Sequence, residues 1–268
     1  MITATVLAED SLPLRVAVDF PSGDLVGGTV EVEVIASTAD GSRSVRSLSS
    51  SWRIPASGGA YIEDYEVELG VEVTYQARQY NAGGTMLGLT APVVVQADIP
   101  TDQLIVQDPL APRSWVRLGG RAATASQLTT SRTSALYRRG AATVGLLGET
   151  GLLEGVPVEA VTESPADAAR LAAVLAEGYV LVRSMPPVPL PRCLHALVSS
   201  VSRAWGAAAD DDFTVWPLSL DEVSSSRVPI IESPLTWDRY KATYATWAAM
   251  KAAYSTWLDA KKSPPPEV

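Results

Sequence analysis

Val71-Glu72-Val73-Thr74-Tyr75-Gln76-Ala77-Arg78-Gln79-Tyr80, followed by Asn81-Ala82-Gly83-Gly84, is the stretch on which the fold turns. Val71, Val73, Tyr75 and Ala77 alternate with Glu72, Thr74, Gln76 and Arg78. A period of two sends one set to a core and the other to water, so this is a half-buried strand. The pattern recurs upstream, where Leu14, Val16, Val18 and Phe20 alternate with Arg15, Ala17 and Asp19, and Val30, Val32 and Val34 with Glu31 and Glu33. Turn signals separate the runs at Pro21-Ser22-Gly23-Asp24, Gly27-Gly28, Ala39-Asp40-Gly41-Ser42, Ser57-Gly58-Gly59 and Asn81–Gly84. No helical periodicity interrupts them, and residues 1–98 therefore read as a β-sandwich.

Working outward, Asp98-Ile99-Pro100-Thr101-Asp102 reads as a linker into a second β domain, residues 99–232. Strands are expected around 103–107, 114–118, 134–138, 142–147, 156–161, 179–183, 193–201 and 212–219. One helix is signalled over 164–178. Ser164 is its cap, Pro165 its first residue, and Asp167 completes a capping-box pattern; Leu171, Val174 and Leu175 form the apolar stripe, and Gly178 is the left-handed stop. The domain is a β-barrel or sandwich with one packed helix.

Residues 233–268 carry a repeat of period ten that begins Thr236-Trp237, Thr246-Trp247 and Thr256-Trp257, with Lys and Tyr in fixed places. Ten residues turn a helix through about 1000°, roughly 80° short of three full turns, so one straight helix cannot hold the three Trp rings on one narrow stripe. Either the segment breaks into short Thr-capped helices or neighbours wrap it on several sides. The expectation is a segment that leaves the body of the protein, loose in the free chain. It would dock Trp237, Tyr240, Tyr244, Trp247, Met250, Tyr254 and Trp257 on another subunit or a second copy. Ser263-Pro264-Pro265-Pro266-Glu267-Val268 reads as a free end.

Composition excludes several classes. The 268 residues carry a formal net charge of −9, one Cys (Cys193) and one His (His195). The acidic balance argues against a general nucleic-acid binder, and a lone Cys excludes an internal disulfide. No apolar run reaches the roughly 20 residues of a spanning helix, and Met1-Ile2-Thr3-Ala4-Thr5-Val6 lacks a leader's basic start, so no membrane insertion is expected. Gly145-Leu146-Leu147-Gly148-Glu149-Thr150-Gly151 lacks the Gly-Lys-Ser/Thr end of a phosphate loop and reads as turns between strands. Asp210-Asp211-Asp212 cannot surround a cation and reads as a solvated loop tip. Cys193 and His195 point the same way on a strand, but among Leu194, Ala196, Leu197 and Val198 they read as core rather than as a catalytic dyad. No catalytic residue, metal or cofactor is assigned, and the chain is read as no enzyme.

One charge pattern stands out. Pro109–Gly148 has no Asp or Glu but six Arg: Arg113, Arg117, Arg121, Arg132, Arg138 and Arg139. They are either scattered surface residues or a basic face that meets an acidic face on a copy or neighbour.

Tyr75–Gly84 resembles the late strand and turn of fibronectin type III modules, which implies a sandwich of that kind for residues 1–98. Three longer stretches resemble the minor tail proteins, at the distal tail or tail tip, of long-tailed bacteriophages infecting high-GC actinobacteria. They are Arg53-Ile54-Pro55-Ala56-Ser57-Gly58-Gly59-Ala60, continuing through Asp64-Tyr65-Glu66 and Gly70–Tyr75; Val106-Gln107-Asp108-Pro109-Leu110-Ala111-Pro112; and the terminal Thr-Trp-x-x-x-Lys-Ala-x-Tyr. All four lysines lie at or after Lys241, every earlier basic residue being Arg, which fits such a genome. The resemblance implies a structural protein of the virion tail tip or baseplate, assembled in the host cytoplasm. Its partners would be other tail proteins and copies of itself in a three- or sixfold ring, with no catalytic residues to carry over. The middle domain is similar in outline to the β-barrel of tail-tube and distal-tail proteins. Two other functions compete: a host-surface, glycan-binding adhesin acting through exposed Trp, and an accessory to a cell-wall hydrolase, whose chemistry would need a carboxylate pair that no motif identifies.

Overall fold

The structure, a computed structural model, describes residues 1–9, 12–47, 52–121, 129–139, 142–186, 188, 190–205, 213–225, 229–230, 237–263 and 265, without the side chains of 120–151, 204 and 205. Strands take up 49% of the chain and helices 17%, so the protein is mainly β. It divides into two compact units, Met1–Ile99 with Gln107–Trp115 and Ser226–Val268, and Pro100–Val106 with Val116–Ser225. The first unit's opening run ends at Ile99, and Gln107–Trp115, expected in the second domain, returns to the first unit. The C-terminal segment, expected to stand apart from residue 233 onward, instead belongs to the first unit.

The first unit is a sandwich of β1 (Thr3–Glu9), β2 (Leu12–Pro21), β3 (Glu31–Thr38), β4 (Gly41–Ser44), β5 (Ile54–Pro55), β6 (Gly59–Asp64), β7 (Glu72–Tyr80), β8 (Met86–Leu89) and β9 (Val93–Gln96). One sheet runs β1-β2-β6; the other runs β4-β3-β7-β8, with β5 on β3 and β9 on β7. The fourth strand pairs with the third rather than joining the first sheet, the arrangement of fibronectin type III-like sandwiches. Alternation sets the register: Val34 faces Ala77 and Ala36 faces Tyr75, all buried. Tyr75 is fully buried, and its hydroxyl donates to Asp64 Oδ2 at 2.7 Å, tying one sheet to the end of the other. The segment Gln107–Trp115 joins this unit through specific bonds. Gln107 Nε2 donates to the Tyr65 carbonyl at 3.1 Å, and buried Arg46 donates to the Pro109 carbonyl.

The second unit contains β10 (Gln103–Gln107), β11 (Trp115–Arg121), β12 (Thr129–Arg139), β13 (Ala142–Glu154), β14 (Val156–Thr162), helix α1 (Pro165–Ala176), β15 (Tyr179–Ser184), β16 (Cys193–Val201), β17 (Ala204–Trp205) and β18 (Thr214–Glu222). The sheet runs β14-β11-β10-β15-β16-β18-β17, and β14 also pairs with β18 from Val156↔Leu220 to Thr162↔Thr214. Six strands thus close into a barrel, with β17 appended. Its interior is one apolar cluster, to which alternate residues such as Val156, Val158 and Ala160 of β14 and Leu218 and Leu220 of β18 contribute. Ala168, Leu171, Val174 and Leu175 of α1 enter the same cluster. The expected cap is present, Ser164 Oγ accepting from Asp167 N at 3.1 Å, and Gly178 is left-handed at φ 72°.

Two expectations fail here. Gly145–Gly151 lies inside β13 rather than in turns, and the pairing with β12 absorbs it through irregular register around Arg132. Leu194 and Ala196 face the barrel core, so Cys193 and His195 stand on the other face of β16, not in that core. There His195 is buried with its Nδ1 3.0 Å from the Tyr179 hydroxyl, while Cys193 is partly exposed.

Candidate functional site

The decapeptides fold as α2 (Trp237–Thr243), α3 (Trp247–Ala253) and α4 (Trp257–Lys262), each beginning at its Trp. Thr246 Oγ1 accepts from Ala249 N at 3.2 Å, and Thr256 Oγ1 from Asp259 N at 3.1 Å. Asp259 Oδ2 accepts in return from Thr256 N at 2.9 Å, closing a capping box. Hydrogen bonds from Ser255 and Thr256 hold the Asp259 carboxyl below its ordinary value. Tyr254 has extended backbone, φ −129° and ψ 126°, and ends α3. Six or seven helical residues plus a connector make up the period of ten, so no single helix has to satisfy the phase mismatch.

Equivalent positions converge. Trp237 lies between Trp247, at 5.6 Å between ring centroids, and Trp257, at 5.2 Å. The buried centre is Tyr240, Met250 and Ala260, with Tyr244 and Tyr254 packed beside it. Tyr240 donates to the Ala260 carbonyl at 2.8 Å, and Tyr254 to the Ser263 carbonyl at 2.7 Å. Burial raises both phenols, Tyr254 to about 12 with help from its hydrogen bond with Tyr244. The segment, expected to leave the body of the protein, is here packed on itself. The trio has its own centre, and its Trp rings pack on one another.

The trio is also seated on the sandwich. Lys262 Nζ lies 2.7 Å from Asp19 Oδ1. Gly59, at φ 117°, leaves room for this contact: a Cβ there would lie 3.4 Å from Leu258 Cδ2 and 3.0 Å from the Phe20 carbonyl oxygen. Beside α4 runs a groove of about 590 Å3, lined among others by Tyr61, Glu63, Tyr65, Trp257 and Lys261. Alternation along β6 places Tyr61 and Glu63 on one face, a signal visible in the sequence but not singled out there, and Tyr65 follows just past the strand's end. Glu63 accepts from Arg15 Nε at 2.9 Å, from the Tyr61 hydroxyl at 2.9 Å and from the Tyr65 hydroxyl. Burial, then the charge of Glu63, pushes both phenols far above their usual value. Arg15 is 1% exposed; burial opposes its charge, but Glu63, with Tyr65 and Glu9, more than offsets that and raises its pKa.

The Glu63 carboxylate at the groove is thus engaged by three donors. No group of three or more His, Cys, Asp or Glu among the described residues could hold a metal. Asp210–Asp212 lies outside the described residues. The six arginines are spread over three places. Arg113 is in the first unit, Arg117 and Arg121 are on β11, and Arg132, Arg138 and Arg139 are on β12; the side chains of the last four are not described. No family model, curated protein or solved structure matches the chain.

Proposed function

We propose that the chain is a structural protein of a bacteriophage tail tip or baseplate that assembles with copies of itself in a three- or sixfold ring and with neighbouring tail proteins. The observation that carries this reading is the arm formed by β12 and β13. Its strands, 11 and 13 residues long, form a two-stranded sheet of their own. They extend about 37–44 Å at about 3.4 Å per residue. A two-stranded ribbon is marginal in water by itself, so such an arm gains most from packing on a neighbour. A closed barrel leaves few free edges, which suits contacts made through arms instead. The presence of a barrel with one helix and of a fibronectin type III-like sandwich in one chain, and the three resembling stretches, support the same reading. Among the described residues no helix is long and apolar enough to cross a membrane.

Gold-labelled antibody against the chain, applied to particles of the phage that encodes it, is expected to mark the distal tail. Label absent from particles, or confined to the capsid, would overturn the reading.

A further inference from the structure

The three decapeptides treat their large residues in two opposite ways. The buried position is Tyr240, then Met250, then Ala260, at 3, 5 and 0% exposure. It changes in every unit, as one shared centre requires. The position half in water is Trp in every unit, at 52, 54 and 47% exposure for Trp237, Trp247 and Trp257. Four residues further on stands Lys in every unit, at Lys241, Lys251 and Lys261. Packing alone would favour the reverse, constancy inside and latitude outside. Thr246 and Thr256 cap their helices, and Tyr244 and Tyr254 bond each other; Trp stays half in water in every unit, with exposed Lys241 and Lys251 and half-buried Lys261 four residues on. Lys251 Nζ lies 6.0 Å from the centre of the Trp247 ring, so charge and ring face sit together.

We propose that the face formed by Trp237, Trp247 and Trp257 binds a polysaccharide. The outward half of the packed ring cluster takes the C–H sides of pyranose rings, and the lysine ammonium groups donate to hydroxyl, ring or carboxylate oxygens. Size decides between occupants. Half of a Trp side chain's surface is on the order of 100 Å2, so the face offers about 300 Å2. A stable protein interface needs about 800 Å2 on each side, so this face is too small to hold a second copy or a folded partner by itself. It matches two or three sugar rings. The groove of about 590 Å3 continues from Trp257 past Tyr61 and Lys261, and mixes aromatic faces with hydroxyl, ammonium and carboxylate groups as a hydroxyl-rich ligand requires. The rings brace one another, so little ordering remains to oppose binding. A nucleic acid, which also stacks on aromatics, is disfavoured by the net charge of −9.

The inference goes beyond the structural reading, which it needs only for biological purpose, because the test uses the isolated chain. Gel retardation and Trp fluorescence would be measured with a mannan, a galactan and a (1→4)-glucan as neutral probes, and with polygalacturonate as an acidic one. At least one is expected to bind. Trp247→Ala should weaken that binding at least tenfold and Lys251→Ala severalfold. Lys251→Ala removes an exposed side chain outside the buried centre and carries the test if Trp247→Ala disturbs the segment. Binding of polygalacturonate that falls with salt assigns the lysines as ion-pair partners; salt-insensitive binding of a neutral probe assigns them as hydrogen-bond donors. No binding by any probe, or unchanged binding in both variants, would overturn the proposal. So would self-association that Trp247→Ala abolishes, which would make the face an interface between copies. A negative result leaves the tail assignment standing, and absence of the chain from particles leaves positive binding standing.

Discussion

In the barrel, six strands turn Val, Leu and Ala inward onto α1, and the interior is a single apolar cluster. In the sandwich, the strands that bury Val16 and Val18 also bury Arg15 on β2 and Asp64 on β6. Arg15 pairs with Glu63, Arg43 with Asp64, and Arg46 with Glu66. The same two-residue alternation therefore yields two kinds of interior. The apolar cluster has no charge of its own to titrate and answers to volume. The ionic one adds little net stability over an apolar equivalent, but it is costly to break from one side and sensitive to protonation.

Arg15→Met is the hardest blow to that contrast. It leaves Glu63 buried without its cation and is expected to cost roughly 3–5 kcal/mol in urea unfolding, all of it in the first unit's transition. A loss below about 1 kcal/mol would show that the buried charges are not holding the sandwich. Leu171→Ala tests the other side. Leu171 is fully buried in the barrel cluster, and the truncation should cost about 3 kcal/mol in the barrel's transition alone.

Alkaline pH sharpens the contrast without mutation. Tyr61 and Tyr65 have folded pKa values raised by burial, so their contribution is present in full below about pH 10, where the free phenol titrates. It is lost as pH climbs from there through the raised values, by about 1.4 kcal/mol for each of the two near pH 11. Tyrosinate absorbance and circular dichroism followed together should show the first unit unfolding while the barrel persists. A simultaneous loss of both would break the distinction. The smallest effect is expected from Thr256→Ala, which removes the α4 cap. About 1 kcal/mol of local stability should go, read as faster amide exchange in Trp257–Lys262.

How much of this was legible in the sequence depended on the range of the forces involved. The strand over 103–107, the helix after Ser164 and its stripe at Leu171, Val174 and Leu175 follow from local alternation, capping and periodicity. The division of the repeat into Thr-capped helices was one of two outcomes left by the phase mismatch. Strands as short as β5 and β17, two residues each, carry no period to detect. The seating of the repeat could not be read at all: Lys262 meets Asp19 across 243 residues of chain, and Leu258 meets Gly59. Chain connectivity gives no hint of such a match, because it depends on where a folded sheet presents its outer face. The constancy of Trp did not reveal that the buried centre of the trio would be Tyr240, Met250 and Ala260.

The descending series Tyr240, Met250, Ala260 also limits the length of the array. In an open solenoid each added repeat finds a fresh neighbour and the stack lengthens. Here the third unit contributes only a methyl group because the first two have already filled the middle. Ten residues inserted between Ala253 and Thr256 would lengthen the chain without enlarging its core, and the new Trp would find no place among the other three. The decapeptide array is thus complete at three units, and expansion by duplication would yield an unpaired helix rather than a longer repeat domain.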